Sequence, residues 1–461
     1  MNFVTPILLA GGSGERLWPS SSKVYPKQFL KFMGNETLFQ QTALRFSNSE
    51  LVKFSPPITI TNSQYQFIVG EQLQNIRIVS GPVLIEPKPK NTAAAILAGT
   101  IFALKGNKNP IIIVTPSDHI ISDNKYLHRL IKIGVKAVNE GNIVTFGITP
   151  TYPETGYGYL QIEKNGTNDL YKVIRFIEKP DHALAKVFFK EDNYLWNSGI
   201  FMFRATDMIS AFDTYAKEIL FSVEKSIEMG TKDKDFVRLD PKTWNNIEDI
   251  SIDYAIMEKI KNLVVIPFFS KWSDLGNWDS VWKEMNKDSN GVALSKNAYA
   301  LDCKNSLLRS ENKKQNIVGL GLQDIVAVAT PDAVLVAHKN KSQNIKKVVQ
   351  YLKSKNVNQS EKLKKNHHSW GSHEILSLGA GFQIKKIFIK PSGVLSLENH
   401  KYLSEHWVVV KGIAKFTIDD KIRSINEGQS INISLGIKHR IENEEKKTII
   451  IIKIQIGCCL D

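Results

Sequence analysis

The first half of the chain alternates short apolar runs, rich in Ile and Val, with segments of helical periodicity. The apolar runs lie at residues 6–10, 58–61, 83–86, 111–115, 143–147 and 263–267, and the helical segments include 37–46, 92–104 and 126–139. Because the runs show no strict polar alternation, we predict strands that are buried on both faces between helices. This order predicts an α/β domain with a mostly parallel, Rossmann-like sheet. Ligands on such sheets bind beyond the carboxyl ends of the strands, so we expect the chemistry in the loops there.

The pattern changes in the second half of the chain. Short β-like pieces with turns occupy residues 291–337, and a helical stretch follows at 343–355. A polar, lysine-rich stretch then follows, and its composition is typical of a linker. The remaining β-like runs, broken by Gly, Asn and Asp, predict a small all-β barrel. We therefore predict an α/β domain at 1–285, a β-rich connecting segment at 286–355, a linker at 356–366 and a β-barrel at 367–461.

The composition excludes several classes of protein. The net charge of +14 comes mostly from dispersed lysines, with no Arg-rich stripe and no nucleic-acid motif, so we expect small anionic ligands and no nucleic acid. No segment is long and apolar enough to cross a bilayer, and no signal peptide precedes the first strand, so we expect a cytoplasmic protein without a membrane partner. Three cysteines, two of them adjacent, do not make a disulfide framework.

The first apolar run ends in a Gly-rich loop that suits phosphate groups. Gly11 and Gly12 let the backbone approach phosphates and direct N–H groups toward them. Arg16 and Lys27 supply cations for a triphosphate. The loop is neither a Walker A loop nor a dinucleotide fingerprint, because the lysine–hydroxyl pair is missing and Leu17 stands where a third glycine is needed. Taken alone, such a loop is equally typical of a tight turn.

Polar side chains also follow later apolar runs. Glu86 opens a loop that continues to Asn91 and Thr92, either of which could instead cap the next helix. Asp118 suits Mg²⁺, which takes one or two protein carboxylates and keeps the rest of its shell for phosphate and water. Asp274 supplies a second carboxylate from a turn. For Asp118, capping of the next segment is the alternative.

Three segments between residues 153 and 199 pair a glycine or proline bend with hydrogen-bonding side chains. Gly158 lies in the first of them. Glu178 and Asn197 suit vicinal sugar hydroxyls, and Lys179 suits a sugar phosphate. Each segment by itself is more often a turn than a binding site.

Together these motifs resemble the sugar-nucleotide pyrophosphorylases. The Leu-Trp-Pro after the Gly-rich loop and the Tyr-Pro-Lys-Gln-Phe at 25–29 are most similar to bacterial mannose-1-phosphate guanylyltransferases of the long form, which is fused to a mannose-6-phosphate isomerase domain. The resemblance covers almost the whole chain. It implies that GTP and α-D-mannose 1-phosphate react with Mg²⁺ to give GDP-mannose and pyrophosphate for polysaccharide biosynthesis, without a covalent enzyme intermediate. Guanine and mannose rest on the resemblance alone, and a homo-oligomer is left open.

The resemblance also implies roles for individual residues. The catalytic residues would be Arg16, Lys27, Asp118 and Asp274, with Mg²⁺ at the two aspartates. The nucleotide-binding residues would be Ala10, Gly11, Gly12, Glu86, Asn91, Thr92 and Pro116. The sugar-phosphate-binding residues would be Gly158, Glu178, Lys179 and Asn197. Two departures are mild, because the family usually has Arg where Lys90 stands and Pro where Ala94 stands.

The C-terminal segment resembles the cupin barrel of the isomerase half of this family. Glu398, His400, Glu405 and His439 would form an N/O site for Zn²⁺ or another divalent ion. Histidines held by ordinary hydrogen bonds are the alternative. The family has Gln in place of Glu398 and Arg in place of Leu403, and it continues with acidic and Arg residues past the equivalent of residue 460. These departures predict a barrel that folds and binds a metal while isomerase activity is weakened or lost.

We therefore predict a guanylyltransferase whose barrel is either a weak isomerase or structural. One alternative is a bifunctional enzyme that also interconverts mannose 6-phosphate and fructose 6-phosphate. Another is a non-catalytic regulatory paralogue. A degenerate copy should lose some of the catalytic residues, so the paralogue is disfavoured by the joint presence of Arg16, Lys27, Asp118 and Asp274.

Overall fold

The computed structural model describes residues 3–12, 14–47, 49–106, 108–164, 169–233, 235–355, 357, 365–398, 402–419 and 421–457. The chain divides into two compact units, Met1–Glu361 and Lys362–Asp461. Among the residues in these ranges, no helix combines the length and the apolar character needed to cross a membrane.

Strands and helices alternate through most of the first unit. Its strands are β1 Phe3–Leu9, β2 Lys53–Phe54, β3 Ile58–Asn62, β4 Val83–Glu86, β5 Ile111–Pro116, β6 Ile120–Ile121, β7 Ile143–Ile148, β8 Tyr159–Glu163, β9 Tyr171–Ile177, β10 Tyr194–Arg204, β11 Thr231–Asp233, β12 Phe236–Arg238, β13 Leu263–Phe268, β14 Trp272–Ser273, β15 Ala293–Leu294, β16 Ala298–Leu301, β17 Leu307–Ser310, β18 Ile317–Leu320, β19 Ile325–Ala329 and β20 Val334–His338. Its α-helices are α1 Leu38–Arg45, α2 Gln66–Asn75, α3 Asn91–Leu104, α4 Asn124–Asn139, α5 His182–Lys190, α6 Ala205–Tyr215, α7 Lys217–Glu228, α8 Pro241–Trp244, α9 Trp278–Glu284 and α10 Ile345–Ser354. Short 3₁₀-helices span Glu15–Leu17, Lys27–Phe29 and Lys339–Asn344, and a π-helix spans Asp253–Met257.

A twelve-stranded sheet forms the centre of the first unit, in the order β11-β12-β4-β3-β1-β5-β10-β7-β13-β9-β8, with β2 beside β1. Strands β12, β4, β3, β1 and β5 run parallel, and β7 runs parallel to β13. Strand β10 runs antiparallel between β5 and β7, so it joins the two parallel groups. The predicted α/β class, the six predicted strands and the three predicted helices are confirmed.

The apolar runs form central strands because both of their faces are covered. In β1, Ile7 packs into one apolar cluster and Leu8 into a second cluster. In β5, Ile112 and Ile113 divide between the same two clusters. All four side chains have no exposed surface. Full burial of such a side chain is worth about 1.5–3 kcal/mol, so both faces of these strands stabilise the sheet.

The segment after α9 folds as stacked parallel strands rather than as a simple connection. Strand β15 runs parallel to β17, β17 to β19, and β16 to β18. A third apolar cluster joins this segment, through Leu307 and Ile345, to Leu17 and Trp278 of the α/β part of the first unit. The indole Nε1 of Trp278 also donates to the carbonyl of Trp18 at 2.9 Å. The parallel strands therefore share a core with the loop that follows β1.

The second unit consists of β-strands: β21 Lys365–His368, β22 Gly371–Gly379, β23 Phe382–Ile389, β24 Val394–Glu398, β25 Leu403–Lys411, β26 Ala414–Ile418, β27 Lys421–Ile425, β28 Ser430–Ile433, β29 His439–Glu442 and β30 Ile449–Gly457. They form a six-stranded sheet, β21-β22-β23-β30-β25-β28, and a four-stranded sheet, β24-β29-β26-β27. Buried Trp407, Phe416 and Ile451 lie between the sheets in one core, which confirms the predicted barrel. Most of the predicted linker 356–366 lies outside the described residues, and its last two residues belong to β21.

Candidate active site

A cavity of about 530 Å³ opens at the carboxyl ends of the parallel strands of the first unit. Its lining includes Gly11 and Gly12 after β1, Glu86 after β4, and Pro116 and Asp118 after β5. A cavity of this size suits a small-molecule ligand. Loops that sequence analysis selected therefore border one cavity, and the chemistry expected there stays a prediction.

The Gly-rich loop is held by hydrogen bonds to its carbonyl groups. The carbonyl of Ala10 accepts from the Thr61 hydroxyl at 3.0 Å, and that of Gly12 accepts from Gln28 Nε2 at 2.8 Å. A Cβ atom added to Gly12 would meet nothing within 4 Å, whereas one on Gly11 would lie 3.0 Å from Glu86 Oε2. The space beside Gly12 is therefore open, and a side chain at this position would occupy it.

Arg16 is a predicted phosphate-binding residue that the structure does not bring into this cavity. It lies in the 3₁₀-helix Glu15–Leu17, is exposed, and is not among the lining residues. Lys27 and Asp274 do not line the cavity either, but they contact each other beside its Asp118. A role for Arg16 in phosphate binding stays a prediction.

Glu86 is a buried acid at the wall of the cavity. Its exposed fraction is 3%, and burial raises its pKa to about 8. Within the described ranges, its Oε1 has no hydrogen-bond partner. A buried polar atom without a partner is unfavourable, so this carboxyl group is suited to a ligand that supplies one.

The loop after Glu86 leads to the amino end of α3, which also borders the cavity. The first residues of this helix do not cap it: Asn91 accepts from the N–H of Thr92 at 3.0 Å, and the Thr92 hydroxyl accepts from the N–H of Ile252 at 2.9 Å. The capping alternative for these two residues is therefore wrong. The Lys90 ammonium donates to the carbonyl of Asn245 at 2.9 Å, so this lysine ties the loop to the segment after α8.

Lys27 joins the two predicted aspartates. Its Nζ lies 3.0 Å from Asp118 Oδ2 and donates to the backbone carbonyl of Asp274. The lysine side chain is 10% exposed and that of Asp118 is 29% exposed, so the pair is largely shielded from water. The next element after Asp118 is β6 rather than a helix, so the capping alternative for Asp118 is also wrong.

The charge of Lys27 acts on the ionisation of Asp118. Burial opposes ionisation of this carboxyl group, but Lys27 and His119 outweigh it and hold the pKa of Asp118 below its usual value. The imidazole Nε2 of His119 lies 3.6 Å from Asp118 Oδ1. Asp118 is therefore an anion at neutral pH, which a cation ligand requires.

Asp274 reaches the site because β14 pairs with β6, the strand that follows Asp118. Its Oδ1 accepts from the Tyr157 hydroxyl at 2.7 Å and from the N–H of Gly276 at 2.9 Å. Burial, with the charge of Asp274, raises the pKa of Tyr157, so the phenol stays a donor. Sequence reasoning missed Tyr157, although it stands between the two glycines of a motif that was selected.

The predicted sugar residues form a second group. Asn197 Oδ1 accepts from the Thr145 hydroxyl at 2.9 Å, and its N–H donates to the carbonyl of Gly158 at 2.8 Å. A Cβ atom on Gly158 would lie 2.6 Å from Glu178 Oε2, so only glycine leaves room for that carboxylate. The Lys179 ammonium pairs with Glu178 at 2.5 Å. All four predicted residues therefore belong to one connected group.

Asp253 is a further residue that sequence reasoning missed. Its Oδ1 accepts from Asn197 Nδ2 at 3.2 Å, and it begins the π-helix Asp253–Met257. Burial, and then the charge of Glu178, raise the pKa of Asp253 to about 7. Because π-helices often occur at functional sites, the helix type is a signal, but it is visible only in the structure.

In the barrel, Glu405 and His439 come together as predicted, with Glu405 Oε2 at 3.0 Å from His439 Nε2. Burial opposes ionisation of Glu405, but His439 and Lys453 hold its pKa at about 2. His400 and the side chain of Glu398 lie outside the described residues. Over the part of the chain that is described, no group of three or more His, Cys, Asp or Glu side chains could hold a metal ion.

The fold and the cavity are those of a nucleotidyl transferase. The chain matches the family described as nucleotidyl transferase at residues 5–291, the family described as mannose-6-phosphate isomerase C-terminal at 355–461, and the MannoseP isomerase/GMP-like beta-helix domain at 296–352. The third match agrees with the stacked parallel strands after α9. These three matches follow one another along nearly the whole chain.

Curated relatives match over their full length. The xanthan biosynthesis protein XanB of Xanthomonas campestris pv. campestris strain B100 is 38% identical, with 100% of this chain and 97% of the relative covered. The mannose-1-phosphate guanylyltransferase of Salmonella montevideo is 36% identical, with 99% and 97% covered. A solved structure, the mannose-1-phosphate geranyltransferase from Thermus thermophilus, is 27% identical with a TM-score of 0.66, and covers 77% of this chain and 100% of its own. The chain belongs to the family of long mannose-1-phosphate guanylyltransferases that carry a mannose-6-phosphate isomerase domain.

Proposed function

We propose that this protein joins GTP and α-D-mannose 1-phosphate to give GDP-mannose and pyrophosphate, for polysaccharide biosynthesis. The observation that carries the proposal is the position of Lys27, whose ammonium links Asp118 to the Asp274 turn beside the cavity. A positioned cation of this kind can stabilise the negative charge that develops on transferring phosphoryl groups. The names of the relatives support guanine and mannose as base and sugar.

The phosphates of the nucleotide fit the stretch from Gly12 to the amino end of α3. The open space at Gly12 admits a phosphate, and backbone N–H groups in such loops bind anions. The amino end of α3 carries no side-chain cap, and a helix amino terminus attracts negative charge. Lys88 and Lys90 line the same region and add positive charge.

Asp118 and Asp274 fit a Mg²⁺ ion. They are two carboxylates, from different loops, beside a phosphate site, which is the donor set that Mg²⁺ prefers. Asp118 is ionised, and the oxygen Oδ1 of Asp274 is fixed by Tyr157 and Gly276. When bound, the ion would neutralise phosphate oxygens and stabilise the charge that develops on the leaving pyrophosphate.

The transfer itself is a single displacement. A phosphate oxygen of mannose 1-phosphate forms a bond to the α-phosphorus of GTP, while the bond from that phosphorus to the bridging oxygen breaks and pyrophosphate leaves. Lys27 stabilises the added negative charge because its ammonium is held in place before the reaction starts. Positioning of the two substrates supplies the rest of the rate enhancement.

The group around Asn197 fits the hexose. Glu178, Asn197 and Asp253 offer hydrogen-bond acceptors and donors for vicinal hydroxyls. Lys179 is half exposed and fits the sugar phosphate, which would replace Glu178 as its partner. Gly199, two residues after Asn197, would place a Cβ atom 3.6 Å from Pro116 of the nucleotide cavity, so the two subsites adjoin.

Glu86 fits the base. Guanine presents N–H donors on its Watson–Crick edge, and one of them is the N2 amino group. Glu86 Oε1 is buried, borders the cavity and has no partner among the described residues. Loss of such a contact is costly for a site built around it, so GTP should be preferred to ITP, which lacks the amino group.

A matrix of nucleotides and sugar phosphates, assayed for pyrophosphate release, tests the function. We expect kcat/KM for GTP with mannose 1-phosphate to exceed that for ATP, UTP or dTTP, or for glucose 1-phosphate, by about 100-fold. Equal rates with UTP or glucose 1-phosphate would contradict the substrate assignment. Absence of pyrophosphate release from every pair would contradict the transferase itself.

The metal assignment has its own test. Asp118→Asn and Asp274→Asn should each lower Mg²⁺-dependent kcat/KM by about 10²–10³-fold, because each removes a charged ligand while keeping a similar shape. Asp192→Asn is the matched control, since Asp192 forms an exposed pair with Lys164 away from the cavity. Near-normal turnover of either variant at limiting Mg²⁺ would show that the assignment is wrong.

The cellular location, the partners and the oligomeric state of the protein are also part of the proposal. The substrates are small phosphorylated metabolites, so we expect the enzyme in the cytoplasm, without nucleic acid or membrane partners. Cell fractionation checks the location, and light scattering checks whether the chain forms a homo-oligomer.

A further inference from the structure

The interior of the barrel contains a lysine. Lys453 lies in β30, where alternate residues Ile449, Ile451, Lys453 and Gln455 are buried. The lysine side chain is 4% exposed and that of its partner Glu405 is 1% exposed. Lysine is almost never fully buried unless it is paired, so the burial of Lys453 depends on its partner.

The carboxylate of Glu405 is in contact with four protein groups. Its Oε1 lies 2.8 Å from Lys453 Nζ and accepts from Gln455 Nε2 at 2.9 Å. Its Oε2 accepts from Trp407 Nε1 at 2.9 Å and lies 3.0 Å from His439 Nε2. A carboxylate has about four lone-pair sites, and Lys453, Gln455 and Trp407 donate to three of them.

The ammonium is also held by an aromatic face. Lys453 Nζ lies 4.5 Å from the centre of the Trp407 ring, and Trp407 is the cross-strand neighbour of Lys453. A cation over an indole ring gains electrostatic stabilisation, more so when water is excluded. Trp407 therefore contacts both members of the ion pair.

These residues do not fit the divalent ion that the family implies. A metal at Glu405 would have to displace Lys453 and Gln455 from Oε1, or Trp407 from Oε2. It would also stand beside a fixed ammonium, and like charges repel strongly in a buried site.

We propose that the ammonium of Lys453 is the resident cation of the barrel, in the place where the family implies a divalent metal. The pair with Glu405 then serves the stability of the barrel, and the barrel supplies no Lewis acid for isomerisation. The inference concerns the second unit, so it stands or falls separately from the transferase proposed for the first.

Metal content of the full-length, untagged protein is the first measurement. The protein is incubated with Mn²⁺, Co²⁺ or Zn²⁺, desalted, and analysed by mass spectrometry of the metals. We expect far less than one ion per chain to remain. One tightly held ion per chain that the Glu405→Gln exchange removes would overturn the proposal. An ion that remains bound in the Glu405→Gln variant is held elsewhere in the protein. In that case the double-mutant cycle described next tests the proposal.

A double-mutant cycle tests the pair itself, read as hydrogen–deuterium exchange in peptides from β25 and β30. Lys453→Met removes the ammonium that contacts Glu405, and Glu405→Gln removes the negative charge that contacts Lys453. Each single substitution should speed exchange of these peptides by about 10²-fold or more, because removing one partner of a buried pair is strongly destabilising. The double variant should recover most of the protection, since both charges of the pair are removed together.

Lys415→Gln is the matched control in the same barrel, since Lys415 pairs with Glu444 near the surface and should leave exchange in β25 and β30 unchanged. Guanylyltransferase activity monitors the first unit in every variant and should not change. Additive effects of Lys453→Met and Glu405→Gln, or normal protection in Lys453→Met, would overturn the proposal.

Discussion

Lys27 contacts two loops that are far apart in sequence, one through the Asp118 carboxylate and one through the Asp274 carbonyl. Its ammonium therefore has a structural task and, in the proposed reaction, an electrostatic one. The lysine is buried and pairs with Asp118, which lines the cavity, so its removal should lower stability as well as turnover. Residues with only one of these tasks give cleaner tests, and Gly12 and Glu86 are such residues.

Gly12→Ala tests whether a phosphate of the nucleotide occupies the space beside Gly12. The added methyl group would meet no protein atom within 4 Å, so we expect an unchanged or slightly raised Tm. The methyl group would occupy space proposed for a phosphate, and the KM for GTP should rise by about tenfold or more, which corresponds to roughly 1.4 kcal/mol of lost binding. Steady-state kinetics measure the KM, titration calorimetry measures the affinity for GTP, and thermal unfolding measures the Tm.

Gly106→Ala is the control for this exchange, because Gly106 is exposed and its nearest neighbour would lie 3.8 Å from the new methyl group. It should alter neither the KM for GTP nor the Tm. Normal nucleotide affinity in Gly12→Ala would mean that no phosphate lies at that position.

Glu86→Gln tests the buried acid through its pH dependence. The folded-state pKa of about 8 is above the usual value near 4.5, so the native state binds an extra proton between these values. The stability of the wild type therefore falls as pH rises through this window, by on the order of a few kcal/mol. The glutamine variant lacks this ionisation, so its Tm relative to the wild type should rise from pH 5 to pH 8.5.

Thermal unfolding of both proteins across this pH range, with the same buffers, is the measurement. Other groups titrate equally in the two proteins and cancel in the difference. A difference in Tm that stays constant from pH 5 to pH 8.5 would show that Glu86 is not a neutral acid in the folded protein.

At the scale of elements, the site depends on pairings between short strands. The two-residue strands β6 and β14 bring the Asp274 turn beside Asp118. The stacked parallel strands after α9 share the third apolar cluster with Leu17 and Trp18, next to the Gly-rich loop. Sequence analysis predicted these stacked strands as a β-rich connection, but it did not predict that they pack on the loop proposed to bind the nucleotide.

Leu307→Ala tests this shared core. Leu307 in β17 has no exposed surface, and truncation of a fully buried leucine costs about 2–5 kcal/mol. Because the cluster also holds Leu17 and Trp18, we expect a lower Tm together with a raised KM for GTP. Leu320→Ala in the same segment is the matched control, since Leu320 is 69% exposed and its loss should change neither quantity. A destabilised Leu307 variant with a normal KM would show that the segment does not position the loop.

At the scale of the whole molecule, the chain consists of two compact units, and all residues of the proposed transferase site lie in the first. The second unit has its own core around Trp407 and Phe416. A chain that ends at Lys355 retains every element of the first unit up to α10. It should therefore fold and make GDP-mannose without the barrel.

The measurement compares this shortened chain with the full-length protein in two assays. Both should release pyrophosphate from GTP and mannose 1-phosphate at similar rates. A coupled assay from mannose 6-phosphate to fructose 6-phosphate should detect little or no isomerase in the metal-replete full-length protein, because Lys453 occupies the carboxylate of Glu405. Robust isomerisation would make the protein bifunctional, and loss of transferase from the shortened chain would show that the barrel stabilises the first unit.

The α/β class, the central strands and the loops that contain Lys27, Asp118 and Asp274 could be predicted from the amino-acid sequence. This was possible because apolar periodicity and Gly-rich turns are local signals, readable within about 10–20 residues. The same signals predicted the barrel, whose strands are bounded by Gly, Asn and Asp. The roles of the site residues remain predictions, which the variants above address.

The partners of the individual side chains became visible only in the folded chain. The contact of Tyr157 with Asp274, that of Asp253 with Asn197 and that of Lys453 with Glu405 each join residues far apart along the chain. No local pattern encodes such pairs, because burial, which makes a lone charge costly, arises only when distant strands pack. For the same reason Arg16, which looks in sequence like a partner of Lys27, lies exposed outside the cavity, while Lys453, which looks like a surface lysine, is buried.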